Sequence, residues 1–308
     1  MKVIKELTNA SLKDCVVILG NFDGIHKGHL LLIDKAKEIS RAKGWETVLF
    51  TFFPHPTHVL TKNEVKLINT DEEKQYIAET EGMDYYVQFP FTEETALIEA
   101  ETFIEDILIG HLGAKAVIIG TDYSFGKDRR GDVQMLIDNQ DTYGFEVHAI
   151  EKLRQDGTII SSTWIRDAIS QADVETANML MGREYFITGT VIKGRQLGRS
   201  IGFPTANIKP EQHKQLPQNG VYITKVEVKG KTYYGLTNVG TKPTIDINLT
   251  EVLVESYIYD FDEDIYGETI IVKFFKYIRT EDVFETIEDL IIQMKKDEEE
   301  LVKFFKIK

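Results

Sequence analysis

One cysteine in 308 residues, Cys15, is too few for an intramolecular disulfide. The chain therefore suits a reducing compartment. Cys15 sits at the edge of an apolar run, the position of a packing residue rather than a nucleophile. Long apolar stretches are missing too. No run reaches the length of a bilayer span, and the opening residues lack the apolar core of a signal peptide. We therefore expect a cytoplasmic protein with no membrane partner. Positive charge is scarce as well. With 36 Lys+Arg against 50 Asp+Glu the formal net charge is −14. That argues against nucleic acid as a partner, which takes a basic surface to displace counterions. Any anion site has to be local.

What is there suits a two-domain globular protein: 42% hydrophobic and 28% charged residues in a chain long enough for two cores. The charge is uneven. Residues 1–182 hold 18 Lys+Arg against 30 Asp+Glu, while residues 183–308 hold 18 against 20, so the halves read as separate domains, 1–182 and 183–308. The first half alternates strand and helix signals. Apolar runs at Val16–Leu19, Thr47–Phe52, Tyr85–Phe89, Ala116–Ile119 and Phe145–Ile150 are separated by helical patterns. Leu32, Ala36 and Ile39 share one helical face, as do Leu97, Ile104, Ile107 and Leu108. Such alternation predicts an α/β fold, a parallel sheet with helices on both faces and ligands at the carboxyl ends of the strands. After Gly182 the signals turn β-like, at Thr188–Ile192, Gly220–Val228, Thr232–Asn238, Val252–Tyr259 and Thr269–Tyr277. Close spacing and tight turns predict an antiparallel sheet or small barrel. A last amphipathic helix sets Phe284, Ile287, Leu290, Ile291, Met294 and Leu301 on one face and acids on the other.

The stretch Gly20-Asn21-Phe22-Asp23-Gly24-Ile25-His26-Lys27-Gly28-His29 follows the first apolar run and enters a helix. A helix start offers unpaired N–H groups and the positive end of the macrodipole, which favour phosphate. Two imidazoles there add donors to follow charge as it moves. Alone, the motif supports either phosphate handling or a plain glycine turn. Beyond other strands lie Phe53-Pro54-His55-Pro56, the glycine-rich stretch Gly120–Gly131 with Asp122, and Ser161-Ser162-Thr163 ahead of Arg166. A simple N-cap explains one hydroxyl of that last group but does not call for three and an arginine.

The four segments GNFDGIHKGH, TFFPHPTHVL, GTDYSFGKDRRGD and ISSTWIR occur in order within residues 16–169. On them the first half resembles the adenylyltransferase module of the bacterial bifunctional riboflavin kinase/FAD synthetases, in the HxGH nucleotidyltransferase superfamily with its Rossmann-like fold. Class I aminoacyl-tRNA synthetases share HxGH, but their lysine-rich signature loop is not found here. The resemblance implies that FMN attacks the α-phosphate of ATP, giving FAD and pyrophosphate. It assigns His26 and His29 to the ATP phosphates and Gly20, Asn21, Phe22, Asp23 and Gly24 to the nucleotide loop. Ser162, Thr163 and Arg166 would hold the triphosphate. Asp23 and Asp122 are candidates for metal, ribose or flavin contacts, and Phe53 and Pro54 either border the flavin or stiffen a loop.

The second half carries GTVIKGRQLGRSIGFPTAN from Gly189 to Asn207, a glycine-spaced loop in which Lys193, Arg195 and Arg199 gather charge. Such a loop can fold into a backbone nest for phosphates, though a hairpin with solvated cations would look alike. It ends without the Gly-Lys-Ser/Thr of a Walker loop. With NGVY, NVGTKPT, VES, DIYG and IRTEDVF following in order, this half resembles the riboflavin kinase module of the same family. That module is an antiparallel β-barrel with a terminal helix. The resemblance implies riboflavin and ATP as substrates, Glu255 as the base, and Lys193, Gly194, Gly198, Thr205 and Asn207 at the nucleotide. Thr205 and Asn207 would also serve Mg²⁺, and Asn238 and Arg279 would lie near the flavin. The chain departs from the family at Tyr257, where histidine is frequent, and at Glu268 and Val283, where lysine is. The alternatives left standing are an enzyme with one activity only and a flavin-binding module without turnover.

Overall fold

The computed structural model describes residues 1–7, 11–61, 65–194, 198, 201–243 and 250–307. Arg195 and Arg199 of the basic loop, and Thr244 after the NVG stretch, lie outside them. The chain divides into two compact units, Met1–Ser162 and Thr163–Lys308.

The first unit is built on six parallel strands: β1 (Lys2–Ile4), β2 (Cys15–Leu19), β3 (Glu46–Phe53), β4 (Tyr85–Pro90), β5 (Ala114–Gly120) and β6 (Glu146–Ile150). Their order is β1-β4-β3-β2-β5-β6. Five follow the apolar runs. β1, three residues pairing β4 at the edge, is too short to show a period. One face carries Val17, Leu19, Phe50, Val87 and Ile119 against Phe103, Ile104 and Ile107. Those three belong to a wide helix over Phe103–His111 with i→i+5 turns. Leu97 does not share that helix face as expected. It falls in a separate 3₁₀ turn, Thr95–Leu97, and is 62% exposed, because the turn ends before the helix starts at Ala100. The opposite face, to which Tyr86 points, is bonded to helix Asp71–Thr80 through the Tyr86 hydroxyl and Asp71, 2.8 Å.

β2 lies between β3 and β5, so the chain order runs outward from it in both directions. Its carboxyl end is the switch point where such sheets hold ligands. Gly20–His29 begins there. Cys15 at the other end of β2 is fully buried. Burial first, then the Glu46, Asp14 and Asp84 carboxylates, push its thiol up to about 12. At pH 8 the native protein should therefore resist iodoacetamide and incorporate one label only in denaturant, as mass spectrometry would read. Native labelling at the same rate would contradict the burial. The raised value also makes this thiol's contribution to stability full below its unfolded pKa and lost as pH climbs toward about 12.

The second unit is a closed antiparallel barrel. A short ribbon ends the first unit, β7 (Arg154–Gln155) with β8 (Thr158–Ile159). The barrel strands are β9 (Tyr185–Ile192), β10 (Thr205–Ile208), β11 (Gly220–Val228), β12 (Lys231–Pro243), β13 (Thr250–Ile258) and β14 (Thr269–Arg279). Closure leaves no edge unpaired. Tyr185, Tyr222 and Phe274 fill it, with ring centroids 5.6 and 5.3 Å apart. Beside them the buried hydroxyls of Thr224, Thr237 and Ser256 form a chain of two 2.8 Å bonds. Thr237→Val would strand both outer hydroxyls and should cost about 1–3 kcal/mol in denaturant unfolding. A loss within error would show that they find other partners.

The helix Val174–Met181 precedes the composition change at Gly182, yet it is bonded to the barrel: Asn178 Nδ2 donates to Phe274 O and its Oδ1 accepts from Tyr185 N. The terminal helix Ile287–Phe305 lies over Ile223, Leu236 and Tyr257 through Leu301 and Phe305. Three features differ from the expected face: Phe284 lies ahead of the Thr286 cap and is not on the helix, because the helix starts only at Ile287. Ile287 is 52% exposed, since it opens the first turn after the Thr286 cap. Asp297, expected among the solvated acids, is buried because Arg279 reaches it from the barrel.

Candidate active sites

In the first unit the two histidines begin helix Lys27–Lys43, with His26 as its N-cap. His26 Nδ1 accepts from His29 N at 3.4 Å and His29 Nδ1 accepts from His26 N at 3.3 Å. The rings stack at 3.8 Å. This is a capping box written in imidazoles. With both Nδ1 atoms accepting, a neutral ring carries its proton on Nε2, so each presents a donor on the side away from the cap. Gly28 leaves room for the imidazole: a Cβ there would lie 3.1 Å from the His26 ring, which would have to shift by a few tenths of an ångström. Phe22, fully buried, sets its ring 5.2 Å from His29 and fills the space over Gly20.

The loop itself is moored from behind. Asn21 O accepts from Thr51 Oγ1 at 3.2 Å and from Lys74 Nζ at 3.3 Å. The buried Asp23 carboxylate accepts from Ile68 N and Asn69 N. Asp23 O accepts from Ser162 Oγ at 2.7 Å. In this structure Asp23 thus anchors the loop from within the first unit, and Ser162 bonds to its backbone. Thr163 and Arg166 follow on helix Ser162–Ser170, in the second unit. Gly24 takes φ +88° in the turn. Asp122 is exposed and paired with Lys152 at 2.7 Å. Phe53 is 48% exposed at the end of β3, ahead of Pro54 and a short helix capped by His55.

In the barrel, strand register puts Asn207, Glu255 and Asn238 in one row across β10, β13 and β12. Directly opposed residues share a face, with Cβ atoms about 5 Å apart. Glu255 is half-buried between two amides. Asn207, itself buried, turns Nδ2 to Thr205 O and Oγ1 at 3.3 and 3.4 Å. Gly194 touches that amide so closely that a Cβ would lie 2.8 Å from Nδ2. A cavity of about 220 Å³ opens here, lined by Gly194, Pro204, Thr205, Asn207, Asp262 and Tyr266 among others. Lys193 stands 6.0 Å from the Tyr266 ring centroid. Gly198 O accepts from Ile201 N and Phe203 N, turning the chain into the Pro204–Asn207 segment. Asn238 Nδ2 donates to Glu281 at 2.8 Å, while its buried Oδ1 meets no donor among the described residues. The Arg279 guanidinium is taken up by Asp297, Asp282 and the Thr280 carbonyl.

The family described as FAD synthetase matches residues 8–164, and the family described as riboflavin kinase matches residues 181–305. A bifunctional riboflavin kinase/FMN adenylyltransferase from Bacillus subtilis is 38% identical, covering 94% of this chain and 92% of its own. One from Escherichia coli is 35% identical, covering 99% and 98%. This chain belongs to that bifunctional family. A crystal structure from Streptococcus pneumoniae described as a macrolide-efflux protein superposes with a TM-score of 0.85 at 33% identity, over 96% of this chain and 97% of its own.

The two matches divide the sites between them. The histidine pair and its moorings fall in the FAD synthetase match, and the Asn207–Glu255–Asn238 row falls in the riboflavin kinase match. Sequence reasoning missed three residues that hold these sites. Thr51 and Lys74 are buried beneath the Gly20–His29 loop, and Asp297 is buried against Arg279. Thr70 and Glu73 form a capping box, but nothing local marks the next residue, Lys74, as a buried cation. Among the described residues, no helix is long and apolar enough to cross a membrane.

Proposed function

We propose that this chain makes FAD from riboflavin in two ATP-dependent steps, one in each half. The observation that carries the reading is that the halves match two different enzyme families, in the order of the bifunctional relatives. Efflux, the description of the S. pneumoniae structure, is not carried over, because the two families already account for both halves.

In the kinase step the ribityl 5′-hydroxyl oxygen attacks the γ-phosphorus of ATP. The new P–O bond forms as the β–γ bridge breaks and ADP leaves, and the hydroxyl proton passes to Glu255. A weak nucleophile gains from a base held beside it, and the flanking amides of Asn207 and Asn238 would orient both that carboxylate and the substrate. Lys193 and the backbone at Gly194 and Gly198 would line the nucleotide. Magnesium fits the donor set. Thr205 and Asn207 offer hard oxygens beside the cavity, and no group of three or more His, Cys, Asp or Glu suited to a metal occurs among the described residues. A cation held by few protein oxygens and completed by phosphates is the ordinary Mg²⁺ arrangement, and it would neutralise phosphate charge. Arg279 would act on the flavin side through the loop it pins.

In the adenylyl step a phosphate oxygen of FMN attacks the α-phosphorus, and pyrophosphate leaves as the α–β bridge breaks. FMN is already anionic, so this step needs charge neutralisation and in-line placement rather than a base. His26 and His29 supply Nε2 donors at the helix start, Ser162, Thr163 and Arg166 would hold the triphosphate, and Phe53 and Pro54 would border the flavin. Asp23 supports the loop from behind; Asp122 is free to meet ribose or metal by exchanging Lys152. The substrates are small molecules, and the single buried thiol fits the cytoplasm.

Supplying riboflavin with Mg-ATP and resolving products by chromatography tests the reading. FMN should appear first and FAD follow. FMN without FAD removes the adenylyl step, FAD from added FMN alone removes the kinase step, and neither product leaves a flavin-binding module.

A further inference from the structure

Tyr257 stands directly opposite Thr205 in the β10–β13 register, two residues beyond Glu255 on the same face. Its side chain is shared between two elements. The ring meets Phe203, the residue that opens the Phe203–Asn207 segment, edge-on at a centroid distance of 5.1 Å. The hydroxyl donates to Glu298 Oε1 at 2.9 Å, on the terminal helix. Burial, and then the Glu298 carboxylate, hold the phenol above its ordinary value, so it stays a donor throughout the neutral range.

The neighbouring helix residue fixes where Glu298 can be. Asp297 accepts from Arg279 Nε and Nη2 at 3.1 and 2.8 Å and from Gln293 Nε2 at 2.8 Å. A bidentate arginine–carboxylate pair with a buried acid sets the helix rotation about its axis more tightly than apolar contact does. The next side chain is then delivered to the Tyr257 hydroxyl. Leu301 and Phe305 complete the docking from Ile223, Tyr234 and Tyr257. Helix, tyrosine and the segment bearing Thr205 and Asn207 are thus joined in sequence by two specific contacts.

We propose that Tyr257 is a positioning residue of the kinase site: it transmits the seating of the terminal helix, through Glu298, to Phe203 and hence to Thr205 and Asn207. This rests on reading Thr205 and Asn207 as the Mg-ATP side of that site. The link acts on nucleotide geometry, so its loss shows in KM for Mg-ATP rather than in the chemistry at Glu255. It also explains why a ring with a polar donor is useful at this position: phenylalanine could touch Phe203 but could not join it to Glu298.

The test uses the full chain. Tyr257→Phe keeps the ring and removes the hydroxyl; Glu298→Ala removes the acceptor; Glu298→Gln retains an acceptor oxygen. For the first two we expect KM for Mg-ATP in riboflavin phosphorylation to rise about fivefold, with kcat within about twofold. That is about 1 kcal/mol, the net worth of one ordinary hydrogen bond. The double variant should match either single, because both break one link, and Glu298→Gln should stay near the parent. FAD formation from supplied FMN serves as the internal reference and should not move. An unchanged KM, additive singles, or a fall in kcat alone tracking a lower melting temperature would overturn the proposal and leave the contact a purely structural one. A parent chain that makes no FMN at all would instead overturn the kinase reading on which the proposal rests.

Discussion

Replacing His26 and His29 together by alanine is expected to cut FAD formation from supplied FMN by about 10²–10³-fold, the loss typical of removing preorganised donors from a developing anion. FMN formation from riboflavin should stay within about twofold. The argument starts from the cap. Each Nδ1 is occupied by the partner's backbone N–H, so each neutral ring keeps its proton on Nε2, across the ring from the cap. Alanine removes donors and cap together. The cap itself is worth about 1 kcal/mol, so part of the effect could come from fraying of the first turn. The single variants separate the two contributions: lost transition-state stabilisation lowers kcat, whereas fraying lowers the melting temperature of the first unit. A double variant that keeps more than a tenth of the parental kcat would remove the histidines from the phosphate chemistry.

The mirror experiment is Glu255→Gln. The amide keeps the shape of the side chain between Asn207 and Asn238 but cannot take a proton at neutral pH. Loss of general-base assistance typically costs about 10²–10⁴-fold, so FMN formation should nearly vanish while FAD formation from added FMN persists. Riboflavin binding, followed by flavin fluorescence, should survive, because glutamine still offers a hydrogen-bonding oxygen. Equal loss of both activities would mean that the substitution damages the chain as a whole. A rate within threefold of the parent would show that the hydroxyl needs no base at this position.

These expectations rest on features whose legibility differs for physical reasons. The strands of the sheet and of the barrel were readable because each carries a dense run of β-branched and aromatic residues, and Gly28 and the histidines because their spacing is itself the helix start. β10 was legible only as a motif: four residues of Thr-Ala-Asn-Ile do not make a period, and their strand character comes from pairing with β9 and β13. Leu97 was misassigned because a helical period continues through a 3₁₀ turn on paper but not in space. Asp297 looks like its solvated neighbours Lys296 and Glu299; Arg279, distant in sequence, supplies the cation that makes its burial tolerable. Lys74 is hidden for the same reason, its partner being a backbone carbonyl, which no side-chain pattern can announce.

The way that carbonyl is held has a further consequence. Asn21 is gripped through its backbone oxygen alone, by Thr51 and Lys74, and the residue itself is exposed. Substitution there leaves the mooring intact whatever side chain arrives. Position 21 therefore separates two selective pressures that coincide elsewhere in the loop, where Phe22 and Asp23 serve packing and support at once. On the proposed reading of this loop as a nucleotide site, variation at position 21 is screened by ligand contact more than by folding, because the mooring uses only the backbone oxygen.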